Sequence, residues 1–277
     1  MLGKKIVSIM GCGWYGLNLA TAFISKGIFV KGSTTSADKL QLLADAKIEP
    51  YLINFSSVNE IYDPLFFECE ILWICIPPKI RNGNGENYLH KIQSIILAIK
   101  SCGVKQVVFI SSTGVYGDVN NDVNELSEPN PDTESGRALL GAEQLLKQQT
   151  SFNTTIIRFA GLIGPGRHPG RFFAGKKAIP NGNAPVNLIH LTDCVGISRA
   201  ILEQEAFGCT LNACSPHHPN KADFYTKATT SLGLEAPEFI NERNNWKIIS
   251  GIYADTVLNY EYHVDDLMGI FAGDTFF

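Results

Sequence analysis

A chain of 277 residues, 45% hydrophobic and 18% charged, is long enough for one large core with a smaller appended lobe, and its apolar content excludes a disordered polymer. Its net charge of −4 removes the electrostatic case for nucleic acid or an anionic membrane surface as a partner. The seven cysteines are odd in number and form no C-x-x-C pair, which argues against a disulfide framework or a zinc site, so no bound metal is expected.

The amino-terminal residues 1–5 lead straight into a short apolar run of strand length, without the longer stretch and small-residue cleavage site of a signal peptide. No apolar span is long enough to cross a bilayer, so a cytoplasmic protein with no membrane partner is expected. Short β-branched runs then alternate with helical patterns. Strands are predicted over residues 5–10, 28–32, 51–54, 71–76, 106–111 and 154–159. The first predicted helix, 15–26, buries Leu17, Ala20, Phe23 and Ile24, and a shorter one over 36–44 is capped by Thr35 or Ser36. A third, 86–101, carries Leu89, Ile92, Ile95, Ile96 and Ile99 at helical spacing, and a fourth covers 136–149. Residues 161–187, rich in Gly, Pro and basic side chains, read as loop. A helix over 193–203, a strand over 210–213 and a helix from Asn220 leading into irregular structure complete the chain.

Apolar strands separated by helices indicate the α/β class, a doubly wound parallel sheet (Rossmann fold) with a smaller C-terminal substrate lobe. The expected division is a dinucleotide-binding domain over 1–160, its sheet completed by about 186–215, and a lobe from 161–185 and 216–277.

Gly11-Cys12-Gly13-Trp14-Tyr15-Gly16 is a G-x-G-x-x-G motif between a predicted strand and a predicted helix. In that context the first glycine makes a tight turn, the second lets the backbone approach a pyrophosphate, and the third packs helix on strand. Gly11, Cys12, Gly13, Trp14, Tyr15 and Gly16 are thus cofactor-binding candidates. NAD-specific folds place an acid at the end of the second strand. Here Val30-Lys31-Gly32-Ser33-Thr34-Thr35 offers hydroxyls, with Lys31 or Lys39 nearby and no acid before Asp38. Ser33, Thr34 and Thr35 are expected to receive a 2′-phosphate, favouring NADP over NAD; the alternative is that they are turn and cap residues.

Four segments resemble the extended short-chain dehydrogenase/reductases, the group of sugar-nucleotide epimerases and dehydratases (NAD-dependent epimerase/dehydratase-like). They are the glycine loop, Phe109-Ile110-Ser111-Ser112-Thr113-Gly114-Val115-Tyr116-Gly117, Arg158-Phe159-Ala160-Gly161-Leu162-Ile163-Gly164-Pro165-Gly166, and Val186-Asn187-Leu188-Ile189-His190-Leu191-Thr192-Asp193. Within that group the Gly-Arg-His-Pro-Gly-Arg-Phe-Phe-Ala-Gly-Lys run at 166–176 resembles the atypical YeeZ-type branch. The resemblance implies that Ile76, Pro77, Pro78 and Ser111 lie along the cofactor. It also implies that Ser112, with Thr113, hydrogen-bonds a reacting carbonyl.

The parent family uses a Tyr and a Lys four residues apart, the Lys lowering the phenol pKa. Aligning on Glu143 puts Ser135 at the Tyr position and Leu139 at the Lys position, so both proton-handling groups are missing. Tyr116 is the acid–base candidate that remains, or else a pocket wall. Arg137 either polarises a carbonyl or holds a phosphate, or is solvated surface on the first turn of a helix. The basic loop with Arg167, His168, Arg171, Lys176 and Lys177 either holds an anionic substrate or is a solvated turn. His190 with Asp193 reads as structural, His217 with His218 makes a weak metal case, and Cys12 reads as a packing residue.

The function expected is therefore an NAD(P)-binding oxidoreductase or epimerase-like protein acting on a small anionic or nucleotide-linked molecule. A non-catalytic NADP(H) sensor is the alternative, and an isomerase or lyase retaining its cofactor is a third reading. A monomer, or a homodimer through the helices at 86–101 and 136–149, is expected.

Overall fold

The protein is described by a computed structural model covering residues 5–55, 60–78, 80 and 85–271; the first four residues of the amino-terminal run lie outside these. In chain order the elements are β1 (Ile6–Met10), α1 (Trp14–Ser25), β2 (Phe29–Thr34), α2 (Leu40–Asp45), β3 (Glu49–Leu52), β4 (Asn54–Phe55), β5 (Glu60–Ile61), β6 (Ile71–Ile74), α3 (Gly85–Cys102) and β7 (Gln106–Ser112). There follow β8 (Asn121–Val123), α4 (Glu134–Lys147), β9 (Asn153–Phe159), β10 (Gly161–Ile163), β11 (Leu188–His190), α5 (Leu191–Glu203), β12 (Thr210–Ala213), α6 (Lys221–Ser231), β13 (Lys247–Ile249) and α7 (Ile252–Thr256).

Seven strands form one sheet in the order β12-β9-β7-β6-β1-β2-β3. The pairs β1–β2, β1–β6, β2–β3 and β6–β7 are all parallel. The chain runs outward from β1 to β3, then returns to β6 and runs outward the other way. Strand order thus reverses between β1 and β6, and doubly wound sheets bind ligands outside the carboxyl ends at such a reversal. The Rossmann class expected from the sequence is the class observed.

Several boundaries differ from expectation. β6 stops at Ile74 instead of Ile76, since the chain turns there toward Pro77 and Pro78, which cannot donate to a ladder. On α1 the buried apolar residues are Tyr15, Leu19, Ala20 and Phe23, whereas Leu17 and Ile24 are only half-buried. This helix is apolar on most sides, so spacing alone did not choose its inner face. On α3 the isoleucines face inward as expected, while Leu89 is half-buried against Gly141 of α4. Residues 161–187 are not wholly loop: β10 pairs in parallel with β11, Gly161 opposite Leu188. A three-residue strand is too short to show a period.

The chain forms two compact units. The first comprises residues 1–115, 131–158 and 198–210, and the second 116–130, 159–197 and 211–277. In the first, Val7, Ile9, Leu72, Trp73, Val107 and Val108 are fully buried, with Phe23 edge-on to Trp73 at 5.6 Å between ring centroids. In the second, Ile163, Val186, Leu188, Phe224, Val264, Leu267 and Ile270 form a separate core. Among the described residues of α3 and α4, Leu97, 67% exposed, is the one large apolar side chain that is exposed rather than half-buried or buried. Among the described residues no helix is long and apolar enough to cross a membrane.

Candidate functional site

The glycine loop follows β1 directly and opens α1. Gly11 has φ +98°, a conformation that glycine adopts without a steric penalty. A side chain there would also press on Ile76 Cγ2 at 3.0 Å and on the Cys75 carbonyl oxygen at 3.2 Å. Gly16 fits only without a Cβ, because one would run into the carbonyl of Gly11; that contact packs α1 against the turn. Gly13 is different. It is extended, exposed, and a Cβ placed on it would meet nothing within 4 Å. As the N-cap of α1 it carries no capping side chain, and the first turn holds no acidic residue. An uncapped helix terminus behind open space suits a bound pyrophosphate.

The end of β2 braces this turn. Gly11 N–H donates to Ser33 Oγ at 3.0 Å, and Cys12 N–H donates to the Ser33 carbonyl at 2.9 Å. Ser33 is buried, so its hydroxyl supports the loop and is not presented to a 2′-phosphate as expected. Lys31 also departs from expectation: it is buried, and its ammonium donates to the carbonyls of Leu65 at 2.5 Å and Glu68 at 2.9 Å. β2 lies between β1 and β3, so an inward side chain on it has no route to solvent except along such carbonyls. Thr34 Oγ1 accepts from Ser36 N–H at 3.2 Å, while Thr35 and Lys39 are exposed. Cys12 packs its sulfur beside Gly32, and burial pushes the thiol up to about 12, which fits a packing residue.

The registers Met10 to Ile74 and Ile74 to Phe109 align the carboxyl ends of β1, β6 and β7. Gly11, Ile76, Pro77 and Pro78, and the Ser111–Thr113 segment consequently emerge along one edge. Ser111 and Ser112 point to opposite faces. Ser111 is buried and donates to Glu143 Oε1 at 2.6 Å, so the hydroxyl expected along the cofactor is turned into the protein. Glu143 is in turn gripped by Arg158, with Nε on Oε1 at 3.0 Å and Nη2 on Oε2 at 2.6 Å. This buried trio ties β7, α4 and β9 together. Ser112 is half-buried and its Oγ accepts Gly114 N–H at 3.1 Å.

Gly136 on α4 has no room for a Cβ against the Gly114 carbonyl, so the first turn of α4 abuts the turn after β7. Thr133 caps that helix by accepting Gly136 N–H at 3.0 Å. Ser135, exposed, therefore stands in the turn adjoining Ser112 and the buried Thr113. Leu139, one turn on, is buried apolar core. Arg137 is exposed and donates to the Asp132 carbonyl at 3.2 Å.

The remaining candidates belong to the second unit. Tyr116 is buried, and its phenol donates to Asn212 Oδ1 at 3.1 Å, while Lys247 donates to the Tyr116 carbonyl at 2.9 Å. The phenol read from sequence as the acid–base candidate is thus engaged inside this unit. In the basic loop Arg167 and Arg171 are exposed. His168 caps the short turn Pro169–Arg171, its Nδ1 accepting Gly170 N–H at 3.1 Å. Lys177 is paired with Glu235 at 3.2 Å and Glu238 at 2.8 Å, and Lys176 lies 5.3 Å from the Phe173 ring centroid.

Asp193 proves structural in a way sequence did not reveal. Fully buried, it accepts Tyr260 OH at 2.9 Å, His263 N–H at 2.7 Å and Val264 N–H at 3.1 Å, fastening the C-terminal segment. His217 pairs with Asp266 at 2.8 Å, and His218 Nδ1 lies 3.1 Å from the Val186 carbonyl. Among the described residues no cluster of His, Cys, Asp and Glu could hold a metal.

Known proteins agree with this geometry. The family model described as NAD(P)H-binding matches residues 11–187, beginning at the glycine turn. Protein YeeZ of Escherichia coli (strain K12) is 37% identical over 268 residues, 95% of this chain and 97% of that protein. Among solved structures, a conserved protein of unknown function from Silicibacter pomeroyi aligns with TM-score 0.79 at 20% identity over 97% of both chains. UDP-glucuronic acid 4-epimerase from Bacillus cereus, in complex with NAD, aligns with TM-score 0.78 at 17% identity, over 96% of this chain and 97% of that one. The structural matches carry the fold; the sequence matches carry the family. On the sequence matches the chain is a member of the NAD(P)H-binding family and a relative of protein YeeZ.

Proposed function

We propose that the first unit binds NADP(H) in preference to NAD(H), and that the protein is an oxidoreductase or epimerase-like enzyme working without a Tyr-x-x-x-Lys pair. The observation that carries the binding is the open space at Gly13 before the uncapped terminus of α1. The NADP preference rests on the exposed Thr35 and Lys39 and on the absence of a carboxylate in Ser33-Thr34-Thr35, since an acid there would repel a 2′-phosphate. The exposed Asp38 opposes that preference but lies beyond the strand.

When bound, the nicotinamide supplies hydride acceptance or donation. Ser112 Oγ would orient a carbonyl oxygen by hydrogen bonding, with Thr113 beside it, and the exposed Ser135 would hold the water that exchanges the proton. An unperturbed serine is a weak acid at neutral pH, so this arrangement predicts slow chemistry. Arg137, Arg167, His168 and Arg171 are proposed to favour an anionic or nucleotide-linked substrate. The Bacillus cereus UDP-glucuronic acid 4-epimerase, similar in fold, is also solved in complex with UDP-glucuronic acid and NAD, and the former is an anion of that type.

The second reading is a non-catalytic NADP(H) sensor, favoured by the engaged phenol of Tyr116 and the buried apolar Leu139. Turnover of NADPH with anionic carbonyl compounds, compared between the native chain and Ser112→Ala, separates the two. Loss of turnover in the variant supports the enzyme. Tight NADPH binding with no turnover by either chain assigns the sensor, and equal turnover by both removes the role given to Ser112.

A further inference from the structure

A pocket of about 230 Å³ opens within the first unit, floored by Phe23, Ile28 and Leu202 and rimmed by Lys5, Lys26, Arg199 and Glu203. Lys5 precedes β1 and Ile28 precedes β2, so this pocket lies at the amino edge of the sheet. Gly11 follows β1 at the opposite edge, and a strand of 5 residues separates the two by roughly 17 Å. The pocket is therefore not part of the dinucleotide site.

Its chemistry is specific. The floor is apolar and the volume exceeds the ~150 Å³ of a cavity that holds benzene. Three cations and one carboxylate, Glu203, line it, an excess of positive charge in a chain whose net charge is −4. Their existing partners are weak: Lys5 meets Glu205 at 3.1 Å, with Glu205 73% exposed, and Arg199 Nη2 meets Glu203 at 3.1 Å one turn along α5. Surface ion pairs of this kind contribute little and are readily exchanged. Lys26 makes no ion pair among the described residues. Helix C-termini at Ser25 and Glu203 explain a cation near each end by the helix dipole. They do not explain the apolar floor beneath them.

We propose that this pocket binds a small amphipathic anion, a ring-sized apolar body bearing a carboxylate or phosphate. The body rests on Phe23, Ile28 and Leu202, and the anionic oxygens accept from Lys26 Nζ and from Arg199 Nη2, in exchange for Glu203. Calorimetry on the full chain with benzoate and phenyl phosphate as probes, and benzamide as the neutral match, tests this. Binding of either anion is expected, with benzamide at least about tenfold weaker. Lys26→Met and Arg199→Met should each weaken anion binding by about tenfold, and Leu202→Trp should abolish it by filling the floor. Circular dichroism and melting temperature establish that each variant is folded; Lys26→Glu, altered only at an exposed position, serves if Leu202→Trp is not. No heat with either anion, benzamide binding as well as benzoate, or folded variants binding like the native chain would each overturn the proposal.

Discussion

The Oγ of Ser33 accepts the backbone N–H of Gly11 at 3.0 Å, so a side chain at the end of β2 holds the first glycine of the dinucleotide turn on β1. This gives Ser33 a role different from recognising the 2′ position. Ser33→Ala is expected to cost about 1 kcal/mol of stability, a typical net value for one hydrogen bond. It should also weaken NADPH and NADH by similar factors, about fivefold. Denaturant melts with calorimetry on both cofactors check this; loss confined to NADPH would return the hydroxyl to the phosphate.

Gly16 and Gly13 should separate folding from binding. Gly16→Ala forces a Cβ into the Gly11 carbonyl and should lower stability by roughly 1–3 kcal/mol. At Gly13 a Cβ meets nothing within 4 Å and the backbone needs no unusual φ, so Gly13→Val should lower the melting temperature less than Gly16→Ala, its cost being that of a poorer N-cap. Thermal melts of the two variants side by side distinguish them.

The Glu143–Arg158 pair is buried on both sides and completed by Ser111. Removing one partner, as in Arg158→Met, leaves a buried carboxylate uncompensated and is expected to cost about 3–5 kcal/mol. Arg158→Met combined with Glu143→Leu should cost less than Arg158→Met alone. A double-mutant cycle in urea measures the difference. If the double variant is the less stable one, the charges themselves stabilise the fold.

Acid sensitivity should come partly from two histidines. Burial holds His168 below the ordinary histidine value, with the neighbouring Arg171 adding to it, and burial does the same at His218, with His217 adding there. Their folded pKa values lie below the unfolded reference of 6.5, so between the two the unfolded chain binds more protons. Their contribution is thus complete above about pH 6.5 and is lost as pH falls toward the folded values. His168→Asn, which keeps an acceptor for Gly170 N–H, combined with His218→Gln should flatten the pH dependence of melting between pH 5 and 7. An unchanged slope would mean other groups govern it.

Much of the first unit was legible because its strands and helices are long enough to show a period, and because Gly11, Gly13 and Gly16 stand between a strand and a helix. What escaped was long-range. Lys31 reads as a cation near the cofactor, yet its partners are carbonyls 34 and 37 residues away. Ser111 and Ser112 read as one motif, but strand alternation sends Ser111 to a glutamate on α4. Asp193 reads as a helix-starting acid, whereas its partners, Tyr260, His263 and Val264, lie some 70 residues on, in a segment without periodicity. Tyr116 keeps its motif position, but only the fold brings Asn212 to its phenol.

The most direct test of the account is calorimetric titration of the native chain and Gly13→Val with NADPH and NADH. The account predicts NADPH binding to the native chain, weaker NADH binding, and no binding of either to the folded variant. Equal NADPH binding by Gly13→Val, or none by the native chain, would contradict a dinucleotide site at the glycine turn.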